Sequence, residues 1–174
     1  VYYGSSVTQG GCASRAGNHF PALISRKTNT DFINLGFSGN AHGEIQVAEY
    51  IAELEMSAFV MDYDGNDFGE PELLNMRFYD IIRKKHKDMP VIIATHLNTF
   101  RLKDVLSKSR EVIYESYLRA KNRGDNVYFV DNHKAIDADF LDCATVDGCH
   151  PNDFGFVKVA DNFMKTIKEG GLLI

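Results

Sequence analysis

The chain has 174 residues, of which 44% are hydrophobic and 25% are charged, and its formal net charge is −5. This composition is typical of a globular protein and excludes a disordered or collagen-like chain. The acidic balance excludes the basic surface that nucleic-acid binding needs, and no apolar run approaches the roughly 20 residues of a membrane-spanning helix. We therefore expect a single domain over residues 1–174, with neither a nucleic-acid partner nor a membrane span.

Short apolar runs alternate along the chain with longer segments of helical period. The predicted strands are continuous apolar runs, as in a parallel sheet that helices cover on both faces. They span residues 1–3, 32–35, 58–63, 91–95 and 127–130. The predicted helices span residues 18–28, 43–55, 71–87, 102–123 and 153–168. This order predicts an α/β fold, a three-layer α/β/α sandwich with about five parallel strands.

Small residues follow the first two predicted strands. Ligands bind at the carboxyl ends of the strands in such sheets, so these segments are candidate site loops. Residues 4–10, Gly-Ser-Ser-Val-Thr-Gln-Gly, can hold a serine hydroxyl at the sheet edge, or they can simply connect strand and helix. They lack the spacings of the phosphate-binding glycine loops. Residues 36–40, Gly-Phe-Ser-Gly-Asn, can bring backbone N–H groups close to a ligand or merely permit positive φ.

Two polar motifs follow later in the chain. Residues 62–67, Asp-Tyr-Asp-Gly-Asn-Asp, predict a turn after the third strand, because the ligand spacing of an EF-hand is absent. We interpret their carboxylates as turn residues rather than as a metal site. Residues 147–153, Asp-Gly-Cys-His-Pro-Asn-Asp, lead into the last predicted helix. An Asp three residues before a His can fold its carboxylate onto the imidazole, which orients a general base.

In their order and intervals, the four motifs resemble the SGNH (GDSL-type) hydrolase family over nearly the whole chain. The resemblance implies the flavodoxin-like SGNH hydrolase fold, a serine nucleophile and no cofactor. By motif position, it implies that Ser6 is the nucleophile, that His150 is the general base and that Asp147 orients His150. The sequence departs from the family's usual pattern at Ser5, where the family has Asp.

The same resemblance implies an oxyanion hole and a class of substrate. The donors would be the backbone N–H groups of Ser6 and Gly39 and the side-chain amide of Asn66. The implied reaction is the hydrolysis of short acyl esters, foremost O-acetyl groups, on a small molecule or a glycan. A thioesterase or a lysophospholipase with the same triad, and a ligand-binding module without catalysis, remain alternatives.

The resemblance is to a bacterial esterase subgroup whose members often carry an N-terminal module. The sequence opens with Val1, Tyr2 and Tyr3, without an initiator Met and inside a predicted strand. We therefore expect a fragment of a longer chain with an upstream module.

Three further polar residues have less specific surroundings. His42 follows the glycine-rich second loop, and His96 and Arg101 follow the fourth predicted strand. Each can line the mouth of a substrate pocket, or each can have a structural or surface role.

The cysteines Cys12, Cys143 and Cys149 lack Cys-x-x-Cys spacing and do not predict a zinc site. If Ser6 and His150 meet, the loops that carry Cys12 and Cys149 must also approach each other. A disulfide between these two cysteines would then clip the loops together, provided that the compartment is oxidising. Reduced thiols are the alternative.

Overall fold

The computed structural model describes residues 1–66, 71–97 and 103–172. Its sheet consists of five parallel strands in the order β2-β1-β3-β4-β5. These strands are β1 (Tyr2–Gly4), β2 (Asn34–Gly36), β3 (Phe59–Asp62), β4 (Val91–Ala94) and β5 (Val127–Val130). The predicted α/β fold with five parallel strands is therefore confirmed.

Helices cover both faces of the sheet. The α-helices of the described ranges are α1 (Ser6–Gln9), α2 (Phe20–Thr28), α3 (Ile45–Ala52), α4 (Pro71–Lys85), α5 (Lys103–Asn122), α6 (Leu141–Ala144) and α7 (Asp153–Glu169). Helices α2 and α7 pack together on one face, and α3, α4 and α5 follow one another across the other. The longer helices lie close to the predicted spans. Helices α1 and α6 were not predicted, because one helical turn is too short to show a 3.6-residue period.

Strand β2 begins two residues later and ends one residue later than the sequence predicts. Its ladder pairs Asn34 with Tyr2 and Gly36 with Gly4, whereas the prediction began the strand at Phe32. Phe32 precedes the ladder, and its ring packs edge-on against the ring of Tyr2. The apolar run therefore marks a packing contact, and the register of this edge strand is set by its pairing with β1.

Two apolar cores lie on opposite faces of the sheet, because successive strand residues point to opposite sides. On one face, the rings of Phe20 and Phe163 stack at 4.9 Å between centroids and join α2 to α7. On the other face, the rings of Tyr3 and Phe78 stack at 4.7 Å and join β1 to α4. Both cores are therefore anchored on aromatic side chains that are fully or nearly fully buried.

The turn from β1 into α1 brings α1 against the sheet edge. Ser5 caps the helix, since its Oγ accepts the backbone N–H of Val7 at 3.3 Å. Gly36 of β2 faces α1 so closely that an added Cβ would lie 2.2 Å from the backbone nitrogen of Gln9. Only glycine fits at this approach, and it allows the first residue of α1, Ser6, to stand at the carboxyl edge of the sheet.

A buried hydrogen bond joins α1 to the end of β3. Thr8 Oγ1 lies 2.7 Å from Asp62 Oδ2 at the end of β3, and neither residue is more than 3% exposed. The carbonyl of Asp62 also accepts the backbone N–H of Ser5 at 3.2 Å. Burial raises the pKa of Asp62 well above its ordinary value, because a charged carboxylate is poorly solvated there. The Thr8 hydroxyl satisfies this carboxyl group in place of water.

We expect Gly36→Ala to lower the free energy of unfolding by about 1–3 kcal/mol, because the added methyl group must displace the backbone of α1. Urea unfolding measures the change. Gly17→Ala is the matched control, since a Cβ there would lie 3.4 Å from the flexible guanidinium of Arg26. Equal stability of the two variants would contradict the close packing of α1 on β2.

Candidate active site

Ser6, His150 and Asp147 form one continuous hydrogen-bonded chain. Nε2 of His150 lies 2.9 Å from Oγ of Ser6. Nδ1 of the same ring lies 2.7 Å from Oδ2 of Asp147. When Nδ1–H donates to the carboxylate, Nε2 is left as an acceptor for the serine hydroxyl. This is the arrangement in which an imidazole can remove a proton from a serine.

Local backbone geometry holds Asp147 in place. Its Oδ1 accepts the backbone N–H groups of Cys149 at 2.9 Å and of His150 at 2.7 Å. Between them, Gly148 adopts a positive φ of 78° that suits glycine. The hydrogen bonds from the backbone and ring of His150 lower the pKa of Asp147 to about 2. The carboxylate is therefore ionised at any pH at which an imidazole can act as a base.

A second carboxylate joins the two loops that carry Ser6 and His150. Asp153, the first residue of α7, accepts the backbone N–H of Ser14 at 2.8 Å and its hydroxyl at 2.5 Å. The side-chain amide of Asn18 donates to the same carboxylate at 2.7 Å. These three hydrogen bonds link the segment after α1 to the start of α7, three residues beyond His150.

The disulfide considered from the sequence is not formed. Cys12 is a free thiol, so it makes no bridge to Cys149. Its pKa is raised, first by burial and then by the neighbouring carboxylate of Asp147. The loops do approach each other, but the contact that joins them is polar and runs through Asp153. Nothing in the sequence pattern indicated this role for Asp153 beyond its place at a helix N-terminus.

The three expected oxyanion donors follow β1, β2 and β3, which are neighbours in the sheet. The backbone N–H of Ser6 stands at the first position of α1, where the helix itself offers no acceptor. Gly39 has a φ of 69°, and an added Cβ would have no atom within 4 Å, so its backbone is open on that side. The side-chain amide of Asn66 donates to the carbonyl of Phe37 at 3.3 Å. An amide nitrogen carries two N–H groups, which leaves a second for a ligand.

The remaining candidates have different surroundings. His42 is exposed, and its backbone N–H donates to Glu44 at 3.3 Å. His96 is only 8% exposed, and both of its ring nitrogens contact protein groups, so its ring does not line an open pocket mouth. Arg101 lies outside the described residues.

One polar group was not anticipated from the sequence. Asp64 Oδ2 lies 2.6 Å from Nδ1 of His96, and Nε2 of His96 lies 3.0 Å from Nε2 of His133. The sequence alone predicts a turn role for Asp64, and His133 stands in none of its motifs. Asp64 and His96 are 32 positions apart, and His96 and His133 are 37 positions apart, so no local pattern could have grouped them.

Within residues 1–66, 71–97 and 103–172, no set of three or more His, Cys, Asp or Glu side chains is arranged to hold a metal ion. None of the helices in that part of the chain has both the length and the apolar character that crossing a membrane requires.

One protein family and several solved structures are similar to this chain. A family model described as GDSL-like Lipase/Acylhydrolase matches residues 1–168. A protein of Bacteroides ovatus that bears the name GDSL-like lipase is 32% identical, with a TM-score of 0.90, and the match covers 99% of this chain and 53% of that one. A salicylyl-acyltransferase from a tetracycline biosynthetic pathway is 20% identical, with a TM-score of 0.84 and coverages of 99% and 54%.

A third similar structure has nearly the same length as this chain. The family 3 carbohydrate esterase of Clostridium thermocellum is 18% identical, with a TM-score of 0.73 and coverages of 100% and 98%. The chain spans about half the length of the other two proteins. The comparison with curated protein sequences finds no match. With a family model that matches residues 1–168 and a fold shared with these structures, the chain belongs to the GDSL-like lipase/acylhydrolase family.

Proposed function

We propose that the protein hydrolyses carboxylic esters through an acyl-serine intermediate. The observation that carries this proposal is the chain from Ser6 Oγ through the imidazole of His150 to the carboxylate of Asp147, with contacts of 2.9 and 2.7 Å. A serine hydroxyl is a weak nucleophile until a base takes its proton, and this arrangement supplies that base.

In the first half of the reaction, Ser6 Oγ attacks the ester carbonyl carbon while Nε2 of His150 takes the serine proton. The carbonyl oxygen becomes an oxyanion, which the N–H groups of Ser6, Gly39 and Asn66 stabilise. The bond to the alcohol oxygen then breaks, and the imidazolium returns its proton to that oxygen. The products of this half are the free alcohol and an acylated Ser6.

In the second half, water takes the place of the alcohol. His150 removes a proton from the water, the resulting hydroxide attacks the acyl carbon, and the same donors hold the second oxyanion. Collapse of this intermediate releases the carboxylic acid and returns the proton to Ser6. Asp147 keeps the neutral imidazole of His150 in one tautomer and stabilises the imidazolium that forms twice in each cycle.

The substrate we favour is a short acyl ester, foremost an O-acetyl group on a carbohydrate. The side chains of His150 and Asp147 are 32% and 34% exposed, so the triad opens toward solvent. An open site suits a large hydrated alcohol with a small acyl group better than a long chain that must be buried. The fold shared with a carbohydrate esterase of Clostridium thermocellum supports the same choice.

We expect Ser6→Ala to lower kcat/KM for p-nitrophenyl acetate by at least about a thousandfold, because it removes the nucleophile. Ser5→Ala is the matched control. It deletes only the cap of α1, so it should keep most of the activity and lower the free energy of unfolding by about 0.5–2 kcal/mol. If Ser5→Ala were inactive and Ser6→Ala active, the nucleophile would be misassigned by one residue.

We expect Asp147→Asn to lower kcat by as much as about 10⁴-fold, because an amide no longer selects the tautomer of His150. The pKa of Asp147 falls from 3.8 to about 2 on folding, so its contribution to stability is complete well above pH 4 and is lost toward pH 2. Urea unfolding should therefore show a stability difference between wild type and variant that shrinks from pH 6 to pH 3. A rate loss below about tenfold would mean that another group orients His150.

We expect kcat/KM to be highest for acetyl esters and to fall steadily for butyryl and octanoyl esters and for acyl-CoA. Release of acetate from an acetylated xylo-oligosaccharide, measured in parallel, tests the carbohydrate part of the substrate. A preference for octanoyl ester or for acyl-CoA would overturn the acetyl assignment and leave the acyl-serine mechanism in place. The Ser6→Ala variant gives the background rate for every substrate.

A further inference from the structure

A second hydrogen-bonded chain lies at the same edge of the sheet as the triad. Asp64 follows β3, His96 follows β4 and His133 follows β5, so the chain runs across three neighbouring strand ends. Asp64 Oδ1 accepts the backbone N–H of His96 at 3.0 Å, and Oδ2 contacts Nδ1 of its ring at 2.6 Å. Nε2 of His96 then meets Nε2 of His133 at 3.0 Å.

The hydrogen-bonded chain is buried at its inner end, Asp64, and half-buried at its outer end, His133. Asp64 is 1% exposed and His96 is 8% exposed, whereas His133 is half-buried. Burial, and then the proximity of His96 and Arg110, lowers the pKa of His133 to about 4, although the carboxylates of Asp131 and Asp64 act in the opposite direction. A neutral His133 can donate its Nε2–H to Nε2 of His96. Nδ1–H of His96 can then donate to Asp64, so every hydrogen bond in the chain has one proton.

The inner end of this chain is also one end of the turn that carries an expected oxyanion donor. Asp64 and Asn66 are the first and last residues of the 3-10 turn Asp64–Asn66. A Cβ added to Gly65, between them, would lie 3.5 Å from Cβ of His96 and 4.0 Å from Oγ of Ser5. The turn therefore lies between His96, which follows β4, and Ser5, which precedes the proposed nucleophile.

Each side of the turn is fixed differently. On the side of β4 and α5, Asp64 makes two contacts with His96 and accepts the hydroxyl of Ser109, a residue of α5, at 3.4 Å. On the side of β2, the amide of Asn66 makes one longer contact of 3.3 Å, to the carbonyl of Phe37. The two contacts between Asp64 and His96 are shorter and more deeply buried than the contact of Asn66 with Phe37. Displacement of His96 would therefore release the turn on its better-anchored side.

From these contacts we propose that the Asp64–His96–His133 chain positions the amide of Asn66 for the oxyanion. This inference rests on the proposed esterase function. An oxyanion donor lowers the barrier only if it is already aimed at the place where charge develops, and a displacement of about 1 Å can cost about a hundredfold in rate. His96 acts as a positioning residue, because Asp64 and His133 occupy its two ring nitrogens and its ring is too buried to touch substrate.

The main variant is His96→Leu, which removes both ring contacts. We expect it to lower kcat for p-nitrophenyl acetate by about 10- to 100-fold, with KM within about twofold of wild type. Rates are taken per active site, counted by titration with a fluorophosphonate, so that a loss of folded enzyme does not count as a loss of kcat. His96→Asn places an amide N–H near the position of Nδ1 and should restore most of the rate.

The decisive measurement is a double-mutant cycle with Asn66→Ala. If His96 acts through Asn66, then His96→Leu should cost less than about twofold in the Asn66→Ala background. His133→Leu, at the half-buried outer end, provides a second variant should His96→Leu fold poorly. Its smaller loss of kcat, about threefold, should likewise disappear with Asn66→Ala.

His86→Leu is the structural control, since His86 directly follows α4 and its Nε2 contacts the carbonyl of Ala52, the last residue of α3, at 2.9 Å. It should lower the melting temperature without changing kcat per titrated site. An unchanged kcat in both His96→Leu and His133→Leu, or equal losses with and without Asn66, would overturn the positioning role alone. If wild type showed no Ser6-dependent turnover, the proposed function would fall, and this inference with it.

Discussion

The hydrogen bond between Ser6 and His150 joins residues that are 144 positions apart, and the fold is what makes it possible. Ser6 begins α1 directly after strand β1, which lies between β2 and β3, and His150 lies in the loop that enters α7. Helix α7 is fixed against α2 by the stacked rings of Phe20 and Phe163, which sets where the imidazole can lie. Apolar packing brings the loops together, and the hydrogen bonds of Asp153 to the loop after α1 complete their alignment.

Carboxylates at the carboxyl edge of the sheet serve as connectors between loops. Asp62 holds α1 on β3, Asp64 holds the turn of Asn66 on β4, and Asp153 holds α7 on the loop after α1. A buried carboxylate is costly unless donors surround it. Asp64 and Asp153 each accept a backbone N–H and so fix the backbone of a neighbouring segment, whereas the side chain of Asp62 holds α1 through the hydroxyl of Thr8. The stability of this edge therefore depends on polar contacts, whereas that of the two cores depends on aromatic packing.

The chemistry and the choice of substrate depend on different parts of such a site. The triad geometry is compatible with any acyl donor, and after the acyl-serine has formed, the acceptor that reaches it decides the product. Similar structures include both a carbohydrate esterase and a salicylyl-acyltransferase, so one fold serves different acceptors. In the mechanism that we propose, the exposure of His150 and Asp147 would give water access to the acyl group and so favour hydrolysis.

The sequence by itself determined the order of strands and helices and the part of the site that a short segment forms, the pair Asp147 and His150. Asp147 and His150 are three positions apart, so their contact depends only on a short turn that a motif can reveal. The tertiary structure decided the register of β2, the polar link through Asp153 where a Cys12–Cys149 bridge had been considered, and the chain from Asp64 to His133. The physical reason is one of range. Periodicity and turn chemistry act over a few residues, whereas a hydrogen bond between distant segments exists only once packing has brought their strand ends to one edge.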